Sequence, residues 1–231
     1  MSELREIVLD TETTGLEPPE HRIVEIGALE LINHVPTGRV YHQYINPGRP
    51  MPAEAFAVHG ISDSDLADKP AFAAIAEGFA AFVGDATLVI HNAAFDIRFL
   101  DFELERAGHP VLGIARAVDT LAMARERFPG AQNTLDALCR RFGVDSTRRI
   151  KHGALLDSEL LAEVYAELMG GRQSALSLVA RGSGEDGADG SLSAPAAQRP
   201  GSAPTRLTDA EREAHDAFVG TLGADALWLK G

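Results

Sequence analysis

Three apolar runs follow one another near the N-terminus before any helical periodicity begins, and this order constrains the fold most. Ile7-Val8-Leu9 ends at Asp10 and meets the turn Thr13-Thr14-Gly15. Residues 24–32 and 40–45 are the next strand candidates, and a Pro-rich turn at 46–52 closes the block. After it, strands and helices alternate. The pattern predicts a helix over 71–83, a buried strand over 87–90, and a periodic helix over 94–107 that Gly108 and Pro110 end. Further helices are expected at 120–128, 134–142 and 154–169, the last stopped by Gly170-Gly171. Consecutive strands followed by alternation imply an α/β fold, a mixed sheet covered by helices, within residues 1–170.

Composition separates this domain from the rest of the chain. Gly, Ser, Ala and Pro fill 17 of the 25 positions in 182–206, which reads as a flexible linker. Beyond it Thr208 and Glu211 form a capping box, opening a helix with Ala214, Phe218 and Leu222 at i, i+4 and i+8. The chain closes with Leu227-Trp228-Leu229, its one tryptophan. A segment of that size makes no core of its own, so these apolar groups need another surface. No internal repeat is present.

The single cysteine, Cys139, excludes a disulfide scaffold and a Cys-based zinc site, and fits a reducing compartment. No apolar stretch suggests export or a membrane span, so a cytoplasmic protein is expected. The formal charge is −13, with 15 Lys and Arg against 26 Asp and Glu over residues 1–170. A nucleic acid would therefore be held weakly unless metal ions or a partner assist.

Four carboxylates stand where plain solvation explains them poorly. Asp10 and Glu12 lie two apart where an apolar strand ends, so both project to one face. Taken alone, that pair is most simply a solvated strand end. Asp96 follows His91-Asn92-Ala93-Ala94-Phe95 and shares a helical stripe with Leu100 and Leu104, although a helix N-terminus also favours an acid. Asp157 shares its side of a helix with Leu161, Val164 and Leu168 and needs a partner if buried. Arg148, Arg149 and Lys151 in the preceding loop are candidates; a metal shared with Asp10 and Glu12 explains more. His152, five residues before Asp157, is placed to be a general base near neutral pH. Carboxylates from three segments are what a two-metal phosphodiester site requires, with Mg²⁺ or Mn²⁺ as the hard ions.

Asp10-Thr11-Glu12-Thr13-Thr14-Gly15, His91-Asn92-Ala93-Ala94-Phe95-Asp96 and His152-Gly153-Ala154-Leu155-Leu156-Asp157 resemble the three motifs of the DEDD exonuclease superfamily, histidine branch. More closely, residues 5–170 resemble the proofreading epsilon subunits of bacterial DNA polymerase III. The resemblance implies a ribonuclease H-like fold, two divalent metal ions, and 3′→5′ removal of nucleotides from a DNA end. It implies Asp10, Glu12 and Asp157 as metal ligands, Asp96 as a second-metal or water-mediated carboxylate, and His152 as base. Glu54, Val58 and His59 would hold the terminal nucleotide, with Asn92 and Phe95 lining the same cleft. Residues 171–181 contain Gln173, Leu176 and Leu178, similar to the family's sliding-clamp peptide but without its terminal aromatic. Residues 207–231, with Phe218, Leu222, Leu227 and Trp228, resemble the segment that docks on the polymerase alpha subunit.

Three other readings compete. A haloacid-dehalogenase-like phosphatase would leave His152 and Asp157 without work. A free-standing RNA-trimming exonuclease would have no need of the linker and docking segment. An inert bridge between polymerase and clamp would have no reason to gather four acids.

Overall fold

A computed structural model describes residues 3–149, 151–170 and 208–221. Residues 3–170 belong to one compact unit, and the C-terminal helix belongs to a second. In the first unit, strands β1 (Arg5–Thr13), β2 (Ile23–Ile32) and β3 (Val35–Tyr44) precede two short helices, α1 (Ala53–His59) and α2 (Asp63–Leu66). Then come α3 (Phe72–Val83), β4 (Thr87–Ile90), α4 (Ala93–Arg106), β5 (Ala117–Asp119), α5 (Thr120–Arg127), α6 (Leu135–Phe142) and α7 (Ala154–Leu168). The sheet order is β3-β2-β1-β4-β5; the β3–β2 and β2–β1 pairs are antiparallel, the β1–β4 and β4–β5 pairs parallel.

The central strands are apolar on both faces, as a sheet covered on both sides demands. Ile7 and Leu9 of β1 pack with Phe72, Phe79, Leu100 and Leu104 of α3 and α4. Val8, between them, joins Leu138, Leu161 and Val164 of α6 and α7 on the opposite face. This period of two also sends Asp10 and Glu12 to the α7 face and Thr11 to the α4 face.

Strand β1 outruns its parallel neighbour. Its pairing with β4 stops at Val8–Val89, whereas pairing with β2 continues to Thr13. The acidic residues thus sit within a strand that β2 supports on one edge and β4 no longer covers on the other. This differs from the expectation of a strand ending at Asp10. The carboxyl end of the parallel strands, beside the change from parallel to antiparallel neighbours, is where α/β sheets leave a crevice.

The C-terminal helix, α8 (Asp209–Thr221), has the expected capping box: the Thr208 hydroxyl accepts from the Glu211 amide at 3.3 Å, and Glu211 Oε2 accepts from the Thr208 amide at 2.8 Å. Phe218 is exposed. Gln173, Leu176, Leu178, Leu222, Leu227, Trp228 and the whole linker lie outside the described residues.

Candidate active site

Asp157 enters the crevice from the first turn of α7, and β2 fixes that turn. The Ala154 amide, one of the helix's unsatisfied N-terminal donors, gives its hydrogen to Glu25 Oε2 at 3.1 Å. Ser158 Oγ donates to the carbonyl of Gly27 at 2.8 Å. Glu25 also lies 2.7 Å from Nε2 of His42 and stands opposite Glu12 in the β1–β2 register. Its only sequence signal is an acid inside the otherwise apolar run Ile23–Ile26.

Asp96, in the first turn of α4, is buried. Thr11 donates its amide (3.1 Å) and its hydroxyl (2.8 Å) to Asp96 Oδ1. The turn before α4 is fixed by Asp119, whose Oδ1 accepts from the amides of Asn92 (3.1 Å) and Leu121 (2.9 Å). Asn92 there adopts the left-handed region at φ 69°, which asparagine tolerates.

The loop carrying His152 is strapped over α1. The His152 amide donates to the Val58 carbonyl at 3.4 Å, and Lys151 Nζ stands 4.8 Å from the Phe56 ring centre. Gly60, at φ 75° in the left-handed region, ends α1 directly beneath the Lys151 side chain, where a Cβ would collide with it.

These elements bring the four acids into one electrostatic cluster. Burial raises the Asp10 carboxyl well above its ordinary range, and Asp96, Glu12 and Asp157 add to the rise. Burial, then Asp157, Glu25 and Asp96, push Glu12 up to about 8. Burial pushes Asp96 up to about 7, against the hydrogen bonds from Thr11. Asp157 goes the other way: burial opposes its charge, but the hydrogen bonds and positive charge of Arg149, with His152 beside it, outweigh burial and hold its carboxyl below the ordinary range.

The reason is a guanidinium. Arg149 Nε and Nη2 reach the two oxygens of Asp157 at 2.5 and 2.6 Å, and Nη1 reaches Asp136 at 2.6 Å. Nη2 is also 2.7 Å from Nδ1 of His152, which itself lies 3.3 Å from Asp157 Oδ2.

Ligand atoms of Glu12, His152 and Asp157 come within 4.8 Å of one another, the one such group among the described residues. Asp10 and Asp96 stand outside that group and join it through charge. Three carboxyls raised chiefly by burial, with neighbouring acids adding to the rise, around an oxygen-rich donor set, fit a hard divalent cation.

Two hollows flank this ridge of acids. One, of about 520 Å³, is lined by Glu12, Glu54, Val58, His59 and Phe95. The other, of about 570 Å³, is lined by Asp10, Asn92, Arg125, Asn133, Asp136, Arg149, His152 and Asp157. Asn92 and Phe95 therefore do not share a cleft as the sequence suggested. Phe95 lines the first hollow and Asn92 the second. Arg125 and Asn133 of the second hollow left no signal in the sequence.

Known proteins resemble this chain in sequence and in fold. Residues 7–165 match the family model described as Exonuclease. The chain is 59% identical over 183 residues to DNA polymerase III subunit epsilon of Rickettsia conorii, covering 78% of this chain and 80% of that one. The chain belongs to the exonuclease family of DNA polymerase III epsilon subunits. The Escherichia coli epsilon subunit is 49% identical over 178 residues, covering 74% of this chain and 73% of the relative. Among solved structures, exonuclease X in complex with 5′ overhanging duplex DNA is similar at TM-score 0.56 and 27% identity, over 71% of this chain and 90% of that one. The nuclease domain of 3′hExo, a DEDDh family member bound to rAMP, shares the fold at TM-score 0.62 and 18% identity, over 72% and 92% of the two chains. A five-stranded mixed sheet flanked by helices is thus the ribonuclease H-like exonuclease fold in this family member. No helix among the described residues is long and apolar enough to cross a membrane.

Proposed function

We propose that this epsilon-family exonuclease removes mispaired nucleotides one at a time from the 3′ end of DNA, as the proofreading subunit of the bacterial replicative polymerase in the cytoplasm. The observation that carries the reading is the convergence of Asp10, Glu12, Asp96, Asp157 and His152 on one ridge between two hollows, in a chain of this family.

The first hollow suits a terminal nucleotide. Phe95 and Val58 offer apolar surface to a base, and Glu54 an acceptor to a sugar hydroxyl. Nδ1 of His59 accepts from the Ile61 amide at 3.0 Å, so its proton rests on the buried Nε2. Burial lowers the His59 pKa and keeps the ring neutral.

Asp10, Glu12 and Asp157, with Asp96 directly or through water, would hold two Mg²⁺ or Mn²⁺ ions, whose chemistry is to acidify water and stabilise a leaving oxyanion. Thr11 keeps Asp96 turned to the ridge, and Glu25 keeps α7, and so Asp157, in register with Glu12. His152, its side chain 47% exposed at the mouth, accepts the proton of the attacking water as general base.

The rest of the DNA strand is assigned to the second hollow's side. Residues 120–151 hold seven Lys and Arg against three Asp and Glu, the reverse of the chain's balance. Of these cations Arg125 and Arg149 line the second hollow, where positive charge would meet phosphates in a protein whose overall field repels them. Phe218 with Leu222, Leu227 and Trp228 is proposed to dock on the polymerase alpha subunit, and Gln173, Leu176 and Leu178 on the sliding clamp.

The test is an end-labelled primer carrying a 3′ mispair, incubated with the purified protein and Mg²⁺. Stepwise loss of 3′ nucleotides that a chelator stops is the expected result; no metal-dependent loss would sink the proposal.

A further inference from the structure

Metal-assisted hydrolysis leaves one member of the ridge without a role. The Arg149 side chain is only 8% exposed, buried in a site that already needs every carboxylate for metal. Its neighbours are engaged elsewhere: Arg148 pairs with Glu159 at 3.3 Å, and Lys151 lies over Phe56. Of the three loop cations, Arg149 alone lines the second hollow. There it makes the paired contact with both oxygens of Asp157 that suits a guanidinium and a carboxylate, and it occupies Nδ1 of His152 as well.

A divalent ion at Asp157 needs at least one of those oxygens, and it repels a guanidinium a few ångströms away in a site shielded from water. The two cations therefore exclude each other in this geometry. Asp136 supplies the alternative seat. It already accepts from Arg149 Nη1 at 2.6 Å, its side chain is half exposed, and it lines the second hollow with Arg149. An arginine held by Asp136 leaves Asp157 without crossing to bulk solvent.

We propose that Arg149 is the resident counter-cation of the metal site. It neutralises Asp157 and holds the His152 ring while the metal is absent, and it withdraws onto Asp136 when the ion binds. The inference rests on the two-metal reading above. It assigns Arg149 a positioning role: without the ion the site stays folded around a cation, and His152 is released for proton transfer only once the ion has taken Asp157.

The test is calorimetric titration of Mn²⁺ into the full-length protein and its Arg149→Gln and Arg149→Lys variants. Removing a competitor that makes charge-assisted bonds should tighten Mn²⁺ binding about tenfold or more in Arg149→Gln. The lysine variant, lacking the fork, should fall between. Melting should show Arg149→Gln less stable than wild type without metal, with the gap narrowing at saturating Mn²⁺. Unchanged or weaker Mn²⁺ binding in a folded Arg149→Gln protein overturns the proposal. Should that variant fail to fold, the wild type decides: the Arg149 Nε–H resonance, followed during titration with diamagnetic Mg²⁺, must shift on binding, and a static resonance overturns it. A wild-type protein that binds neither ion defeats the nuclease reading itself, a distinct outcome.

Discussion

Gly27 of β2 lies so close to the first turn of α7 that a Cβ built on it would stand 2.1 Å from the amide nitrogen of Leu155. The obstacle is backbone, which has no rotamer to move. Gly27→Ala should therefore push the helix outward, carrying Asp157 and His152 away from Glu12. Overpacking of this kind costs about 1–3 kcal/mol, and urea unfolding should show a loss in that range. Turnover should fall further than stability explains, because a displacement near 1 Å misaligns reacting groups. A variant with wild-type turnover would show that α7 has room to adjust.

The sequence made the large elements legible because their signals are long. The periodic stripe of α4 and the apolar run of β4 were readable to within a residue or two. Strand β5 was not, since Ala117-Val118-Asp119 is three residues with no alternation to detect. Helices α1 and α2 span seven and four residues and follow Pro52, so they read as loop. The acids of the ridge were legible as carboxylates on apolar stripes. Arg149 was visible only as one of three loop cations, and sequence offers no means of telling which one folds inward. Glu25 shows along the chain only as an acid in an apolar run, its partner set by strand register, and the split between two hollows depends on how the elements pack, which leaves no pattern along the chain.

The raised carboxyls predict a pH dependence with a definite sign. Glu12 titrates at about 8 in the folded protein against an ordinary 4.5, so between those values the folded chain holds a proton that the unfolded chain has lost. Stability of the metal-free protein therefore falls as pH rises through that window. Glu12→Gln removes this penalty. Its melting temperature should match wild type at acid pH and exceed it increasingly towards pH 8. A difference that does not change with pH would show that Glu12 is not held protonated.

His152→Ala should lower turnover on the order of 10²–10⁴-fold, the usual worth of a general base. Mn²⁺ binding should survive, since the carboxylates remain. A folded variant that keeps near wild-type turnover would assign the base to another group.

The tail predicts a separable function. A flexible linker of the 25 residues that composition predicts would span roughly 25–30 Å root-mean-square, from about 5–6 Å times the square root of its length. That reach would keep a tethered nuclease near a primer end and raise its effective concentration there. Truncation after Gly182 should leave digestion of short oligonucleotides intact and abolish co-purification with the polymerase subunit. Trp228→Ala should weaken the association by at least about 2 kcal/mol if the aromatic anchors it. Unchanged affinity after truncation would move the docking surface onto the catalytic unit.

The central claim, that these acids form one metal-dependent hydrolytic centre, is tested most directly by digesting a 5′-labelled single strand with wild type and Asp157→Asn in Mg²⁺. Wild type should give a ladder shortening by single nucleotides from the 3′ end. The variant should retain its fold by circular dichroism and run slower on the order of 10³-fold. A folded Asp157→Asn protein that produces the same ladder at near wild-type rate would contradict the account.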